Sequence, residues 1–415
     1  MNQSEQLKIK RTANSNLQNE INISVIFNYL RNAGTSYRAQ ISKELNISAP
    51  AVSRAVDHLL RKGYLLEPGT IKTGQGKSAA EVMINPDIGY IIAVDLVKEP
   101  AKIAVTDFSG KIQQEHTGPS VLDTTDLRGD ILREIAKISE VYRQSRDRET
   151  RLKAVSVGIP AATDFATGSI HTVLYENLEK IDIKRLLSDE FDVPVYIENI
   201  SNLSAIGESS CGHGRNYDNL IFLEISNGIG AGIISRNTLI RGRSGYAGEI
   251  GYSLPGTESL DNFKQRKGPL ERVASIDSMV FDFKNEVRLG ADTLLTSPPA
   301  EIETVTGPKI FEAARKGDHL AGRIIDRAVK HVAVCVVNLV LTLDPEIIFV
   351  GGDLYHMPGV MPLFIEPLIR YVKNSVPFQP PFIQLSSLGE NAGILGASYM
   401  AIETLLTGKY PYRIE

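Results

Sequence analysis

The apolar residues of this chain change their spacing once, near Pro86, and the change poses two separate folding problems. Before that point they recur at three- and four-residue intervals in short stretches broken by Asn, Gly and Ser, as in small amphipathic helices. After it, short apolar runs alternate with longer helical patterns, which calls for a sheet-centred α/β body. With 415 residues, the chain is long enough for two or three domains with large cores.

In the first part, Ile21, Val25, Ile26, Tyr29 and Leu30 mark a helix that ends at Asn32, Ala33 and Gly34. Thr35 or Ser36 is placed to cap a second helix over 37–45. Ser48 is placed to cap a third, which takes Pro50 in its first turn and runs through Val52, Val56, Leu59 and Leu60 to Gly63. Three short helices with tight turns predict a helix-turn-helix. Residues 64–67 and 81–84 read as strands around turns at Pro68-Gly69 and 74–76, which adds a β-wing. In a winged helix the third helix enters the major groove and the wing meets the backbone or minor groove. The candidate DNA contacts are therefore Arg38, Ser48, Ser53, Arg54 and His58 on the helices, and Lys72, Gln75 and Lys77 on the wing. A small protein–protein module would show the same helices, but the charge favours DNA. Residues 1–85 hold eleven Lys and Arg against six Asp and Glu, a net +5 in a chain of net −4, so the remainder carries −9.

Beyond Pro86, 90–96, 101–108, 110–116, 152–159, 193–197, 220–225, 346–350 and 382–385 read as strands, and 127–142, 308–343 and 392–405 as helical regions. Cys211 and Cys335 are the only cysteines, too few for a disulfide framework or a cysteine-rich zinc site, which fits a reducing cytoplasm. His213 beside Cys211 makes two potential ligands, not a metal site. The polar start lacks a signal peptide's apolar stretch and no run of about 18 apolar residues occurs, so a cytoplasmic protein without membrane partners is expected.

The order of motifs then carries a resemblance. After the winged helix come Gly158-Ile159-Pro160, Glu198-Asn199 followed by Asn202, Gly228-Ile229-Gly230-Ala231-Gly232, and Ala247-Gly248-Glu249-Ile250-Gly251. This co-linear set resembles the ROK family (repressors, uncharacterised open reading frames and sugar kinases), and within it the DNA-binding branch typified by xylose and N-acetylglucosamine repressors. The likeness covers about residues 20–405. It implies an α/β fold in which the winged helix precedes a two-lobed actin/hexokinase-like (ribonuclease H-like) body with sugar bound between the lobes. The expected organisation is an extension over 1–20, the winged helix over 21–85, a first lobe over 86–200 completed by a C-terminal helix at about 391–410, and a second lobe over 201–390.

The same resemblance allows the kinase machinery to be checked. The family's first phosphate loop reads Asp-x-Gly-Gly-Thr, because glycines let backbone amides approach phosphate. Here it is Asp95-Leu96-Val97-Lys98-Glu99. The family's general base is an Asp after Glu-Asn, and Ile200 stands in its place. The family's zinc ligands, a His and three Cys, correspond to Tyr252 and to the cysteine-free run 262–271. The sugar contacts fare better. Asn199, Glu249 and Glu271 match positions that hydrogen-bond sugar hydroxyls, Gly168 matches a backbone position near the sugar, and Tyr252 could stack on a sugar face or narrow the pocket. Glu249 and Glu271 could instead serve only as internal caps or ion-pair partners.

These readings converge on a sugar-responsive transcriptional regulator, a repressor whose body binds sugar without catalysis, without zinc and without ATP. Its expected partners are operator DNA, a small sugar effector and a second copy of itself. The alternatives are an active ATP-dependent sugar kinase with a regulatory head, and a DNA-binding protein whose body only dimerises.

Overall fold

The computed structural model describes residues 3–73, 77–119, 126–146, 150–164, 167–171, 180–260, 267–295 and 299–408. The head opens with α1 (Gln3–Ala33), which begins well before Ile21 because neither Gly nor Pro occurs before Gly34 to stop it. Then follow β1 (Thr35–Ser36), α2 (Arg38–Leu45), α3 (Ala49–Arg61), β2 (Leu65–Leu66), β3 (Thr70–Thr73), β4 (Lys77–Ala80) and β5 (Val82–Ile84). Thr35 and Ser36 do not cap α2. They pair antiparallel with β5, and Tyr37 holds the N-cap position without a side-chain bond. β2 pairs with β5 and β3 with β4, both antiparallel. Ile26, Phe27, Leu30, Ile41, Val52, Val56, Leu59, Leu65 and Val82 close the head's core.

The first sheet of the body is built from β6 (Tyr90–Asp95), β7 (Lys102–Asp107), β8 (Ile112–Thr117), β9 (Leu152–Ile159) and β12 (Val195–Asn199), in the order β12-β9-β6-β7-β8. β6, β7 and β8 form an antiparallel meander, and β9 and β12 add in parallel on the other side of β6. The short pair β10 (Ala162–Thr163) and β11 (Ile170–His171) extends beyond β9. Alternation along the strands sends Tyr90, Ile92 and Val94 toward α4 (Leu127–Gln144) and α5 (Ile183–Phe191), while Ile91 and Ala93 face the opposite side.

After α6 (Ile200–Ser210) the second sheet repeats that plan. β13 (Leu220–Ile225), β14 (Ile229–Ser235) and β15 (Thr238–Leu239) form an antiparallel meander, and β16 (Ile347–Gly351) and β17 (Phe382–Leu385) add in parallel, in the order β15-β14-β13-β16-β17. The outer face of this sheet is covered by α7 (Ile276–Arg288), α8 (Gly307–Arg315), α9 (His319–Leu343) and α10 (Glu366–Ser375).

Two helices fill the space between the sheets. α6 lies on β13 and β14, and α11 (Ala392–Thr407) returns to β6 and β9. They touch backbone to backbone. A Cβ on Gly396 would come within 1.7 Å of the Leu203 carbonyl oxygen, and one on Gly207 within 2.3 Å of the Ala392 carbonyl oxygen. α11 also joins the body to the head. Ala401, Ile402 and Leu406 belong to the same buried cluster as Phe27 and Val82, Asn28 Nδ2 donates to Glu403 Oε1 at 2.9 Å, and Arg31 lies 4.6 Å over the Tyr399 ring.

Candidate functional site

Burial of Val52, Ala55, Val56 and Leu59 turns the other side of α3 outward, leaving Arg54 exposed and Ser53 and His58 half-exposed. Ser48 stands at the N-cap of α3. Its carbonyl accepts from Ala51 and Val52, while its exposed hydroxyl makes no capping bond. This face borders an open groove of about 1020 Å³ shared with Gln18, Asn19 and Asn22 of α1. Burial, then the nearby Lys62 and Arg61 charges, hold His58 below the usual imidazole range, so it is neutral at pH 7 and able to donate or accept. Lys72 is exposed on β3, Lys77 opens β4 opposite Thr73, and Gln75 lies outside the described residues. Arg38 is already engaged. Its guanidinium bridges Asp57 at 2.7 Å and Glu67 at 2.9 Å, tying α2 to α3 and to the chain just after β2.

The body's polar cluster forms where the first sheet's parallel strands end, the usual place for ligands in α/β folds. Asn199 closes β12 and caps α6, its Oδ1 accepting from the Ser201 and Asn202 amides. Its Nδ2 donates to the Ala161 carbonyl at 3.1 Å and to Glu249 Oε1 at 3.2 Å. Glu249 sits on a turn laid against β14. Gly248, at φ +91°, permits this because a Cβ there would meet the Ala231 carbonyl oxygen at 1.9 Å. Glu271, nearly buried, accepts the Ile229 amide on one oxygen at 3.1 Å and the Gly268 amide on the other at 2.8 Å. Each oxygen keeps a second lone pair for a ligand hydroxyl. Half-buried Tyr252 is raised above the usual phenol range by burial, then by Glu271 and Glu249, which places it beside both carboxylates.

Asn199, Glu249, Tyr252 and Glu271 are thus drawn together. Gly168 occupies the turn between β10 and β11 at φ +77°, where a Cβ would meet Lys184. Residues 172–179 and 261–266 lie outside the described residues. Glu198 was not among the expected contacts. Buried at 1% exposure, it accepts Arg241 Nε at 2.7 Å on one oxygen, and the Asn199 amide and Asn202 Nδ2, both at 2.9 Å, on the other. It therefore holds the Asn199 turn in place, and a carboxylate in an otherwise apolar strand was the available signal.

Burial, then the Glu271 charge, pushes Glu249 up to about 7. Between the unfolded carboxyl's pKa of roughly 4.3 and about 7, the native state holds a proton that the unfolded state has lost. This residue's contribution therefore falls as pH rises through that window and is constant above it. Glu249→Gln is expected to gain stability relative to the parent chain by up to about 3 kcal/mol between pH 5 and 8. Urea titrations at both pH values check this, and an unchanged difference would refute the assignment.

The positions matching the kinase motifs hold other chemistry. Ile200, 4% exposed, is wedged between β9 and α11. Its Cδ1 lies within 2.6 Å of where a Cβ on Gly158 would be and 2.5 Å of one on Gly393. Asp95 turns its Oδ1 back to the Val97 amide at 2.9 Å, and burial raises it above the usual carboxylate range. Lys98 reaches across to Asp353 at 3.1 Å. Among the described residues, no group of three or more His, Cys, Asp or Glu is placed to hold a metal, and no helix is long and apolar enough to cross a membrane.

A model of the ROK family matches residues 91–404. A xylose repressor from Caldicellulosiruptor bescii is 27% identical over 401 residues, with 95% of this chain and 98% of that protein covered. Among solved structures, a ROK family transcriptional regulator described as a homolog of the E. coli MLC protein superposes with a TM-score of 0.75 at 20% identity, over 94% of this chain and 97% of its own. A ROK family glucokinase from Streptomyces griseus, in complex with glucose and AMPPNP, gives 0.59 at 25% identity, over 75% of this chain and 98% of its own.

Proposed function

The chain belongs to the ROK family, and from that premise we propose that it is a sugar-responsive transcriptional repressor acting in the bacterial cytoplasm. The observation that carries the reading is Ile200. At the position of the family's general base an apolar side chain fills a packed seam, while the amide and carboxylates beside it still converge as sugar-binding groups do. The regulator's coverage supports the same reading, since it extends over the head, whereas the glucokinase matches three quarters of the chain.

On this reading the head is a winged helix-turn-helix. Ser48, Ser53, Arg54 and His58 on the exposed face of α3 enter the major groove, and the wing from β3 to β4 carries Lys72, Gln75 and Lys77 to the backbone. Arg38 braces the head from within through Asp57 and Glu67. Two copies bind a pseudo-palindromic operator. A sugar held by Asn199, Glu249, Glu271 and Tyr252, near Gly168, shifts the balance between lobe arrangements because it binds them with different affinity. Neither zinc nor ATP takes part.

Footprinting and gel shifts on the DNA upstream of the chain's own gene test the reading. Binding is expected to be sequence-selective, steeply weakened by salt and altered by an effector from a panel of pentoses, hexoses and N-acetylhexosamines. Binding without sequence preference would refute it. Arg54→Ala is expected to weaken operator binding about tenfold or more with no change in thermal stability, because its side chain is exposed. An unchanged affinity would remove Arg54 from the interface.

A further inference from the structure

We propose that Lys98 is a positioning residue for the effector site: its ammonium latches the two lobes in the arrangement that brings Asn199 to Glu249. The proposal rests on the sugar-binding reading of that site.

Lys98 belongs to the hairpin between β6 and β7 of the first sheet. Its partner Asp353, at 3.1 Å, follows β16 of the second sheet, and Glu224, the next carboxylate in its field, lies on β13 of that sheet. Asp95, at the end of β6, is the third. The two second-lobe carboxylates are fixed to one another through Ser226, whose hydroxyl donates to Glu224 Oε1 at 3.0 Å and accepts the Asp353 amide at 2.9 Å. Asp95 and Glu224 are 3% and 8% exposed, so both are shielded from water, and the Asp95 charge acts on Glu224. If the lobes part, Lys98 leaves the second-lobe pair, in which the Asp353 side chain is 43% exposed but Glu224 only 8%, so Glu224 loses a cation that offsets its burial. Removing the Lys98 charge while Glu224 stays buried is costly, because it leaves a buried carboxylate without compensation. The burial that pushes Glu224 up to about 7, opposed by Lys98, reflects the same setting.

The Asn199–Glu249 bond at 3.2 Å and the Glu198–Arg241 pair at 2.7 Å cross between the same two lobes, so one arrangement makes all three bridges. Lys98 acts on Asp353, Glu224 and Asp95 rather than on Asn199 or Glu249, yet it favours the arrangement in which the sugar site is assembled. A latch of this kind contributes more to conformational specificity than to net stability.

The test uses the full chain. Lys98→Met is expected to lower Tm by about 5 °C and to speed hydrogen exchange at the amides of 199–206 and 246–252. Adding Glu224→Gln and Asp353→Asn to Lys98→Met is expected to recover most of the Tm, and Lys98→Arg to retain wild-type exchange. D-xylose and N-acetylglucosamine serve as calorimetric probes, and whichever binds the wild type is expected to bind Lys98→Met at least about tenfold more weakly. Wild-type exchange in both segments of Lys98→Met, or wild-type sugar affinity with slow exchange retained, overturns the latch. If neither sugar binds the wild type and the wider sugar panel also fails, the sugar reading falls, while the exchange result still decides whether Lys98 bridges the lobes. Should Lys98→Met not fold, the triple variant and Lys98→Arg carry the comparison, and a triple variant with slow wild-type exchange also overturns it.

Discussion

Ile200→Asp is expected to lower the chain's stability by roughly 4 kcal/mol or more and to consume no ATP with any sugar, even though it puts a carboxylate where the family resemblance implies a base. The isoleucine fills the seam between Gly158 and Gly393, two glycines that leave room for it and for nothing else. Removing its buried hydrocarbon opens a cavity, and the aspartate must either ionise without a partner or bind a proton. The loop that the family resemblance sets against the phosphate loop is equally altered, since its Lys98 is held by Asp353. Urea denaturation and a coupled ADP-release assay measure the two parts. A stable variant that phosphorylates a sugar would show that only the base had been lost, and the kinase alternative would return.

Gly396→Ala should produce the second large effect. A methyl group there meets the Leu203 carbonyl oxygen at 1.7 Å, a backbone atom that cannot swing aside. The α6–α11 pair must separate, at a cost of about 2–4 kcal/mol after the gain of roughly 1 kcal/mol in helix propensity. The strain is not confined to stability. α6 begins at Asn199 in the polar cluster, and α11 holds the head through Tyr399, Glu403 and Ala401. Operator affinity and its response to sugar are therefore expected to change together, read by gel shift in the presence and absence of the effector at a temperature where the variant remains folded. A variant that loses stability but keeps the full sugar response would show that the signal does not pass through this helix pair.

Strands buried on both faces could be read from the amino acids alone. Leu152–Ile159 and Leu220–Ile225 begin and end where their apolar runs do, because a strand inside an α/β body has no polar face to blur its limits. Thr35 and Ser36 were misread because a two-residue strand carries no period, and its partner Val82 lies far along the chain. Arg38 shows the same limit for charge. Its basic character was visible, but the acids that occupy it, Asp57 and Glu67, approach only in the folded head. The duplicated sheet order was hidden for a related reason. The half-exposed third strand of the first meander, Ile112–Thr117, and the two-residue Thr238–Leu239 of the second share no pattern, although they occupy equivalent edges. At the polar cluster, the family resemblance pointed to Asn199, Glu249 and Glu271, which the fold brings close together. It gave no indication that Glu198 fastens the turn beneath them, or that Lys98 reaches the other lobe.

The shared core of head and body has a consequence for the DNA. Phe27 and Val82 of the head lie in one buried cluster with Phe108, Ala401 and Ile402 of the body, so α3 is not carried on a pliant tether. On the proposed reading, in which two copies act as a pair, they present their α3 helices to DNA at a fixed distance and a fixed rotational phase. One base pair inserted between the half-sites advances the second by about 3.4 Å and turns it by about a tenth of a helical turn, and a rigid mount has no slack to absorb either. Natural operators of this protein should therefore tolerate changes of letter far better than changes of spacing.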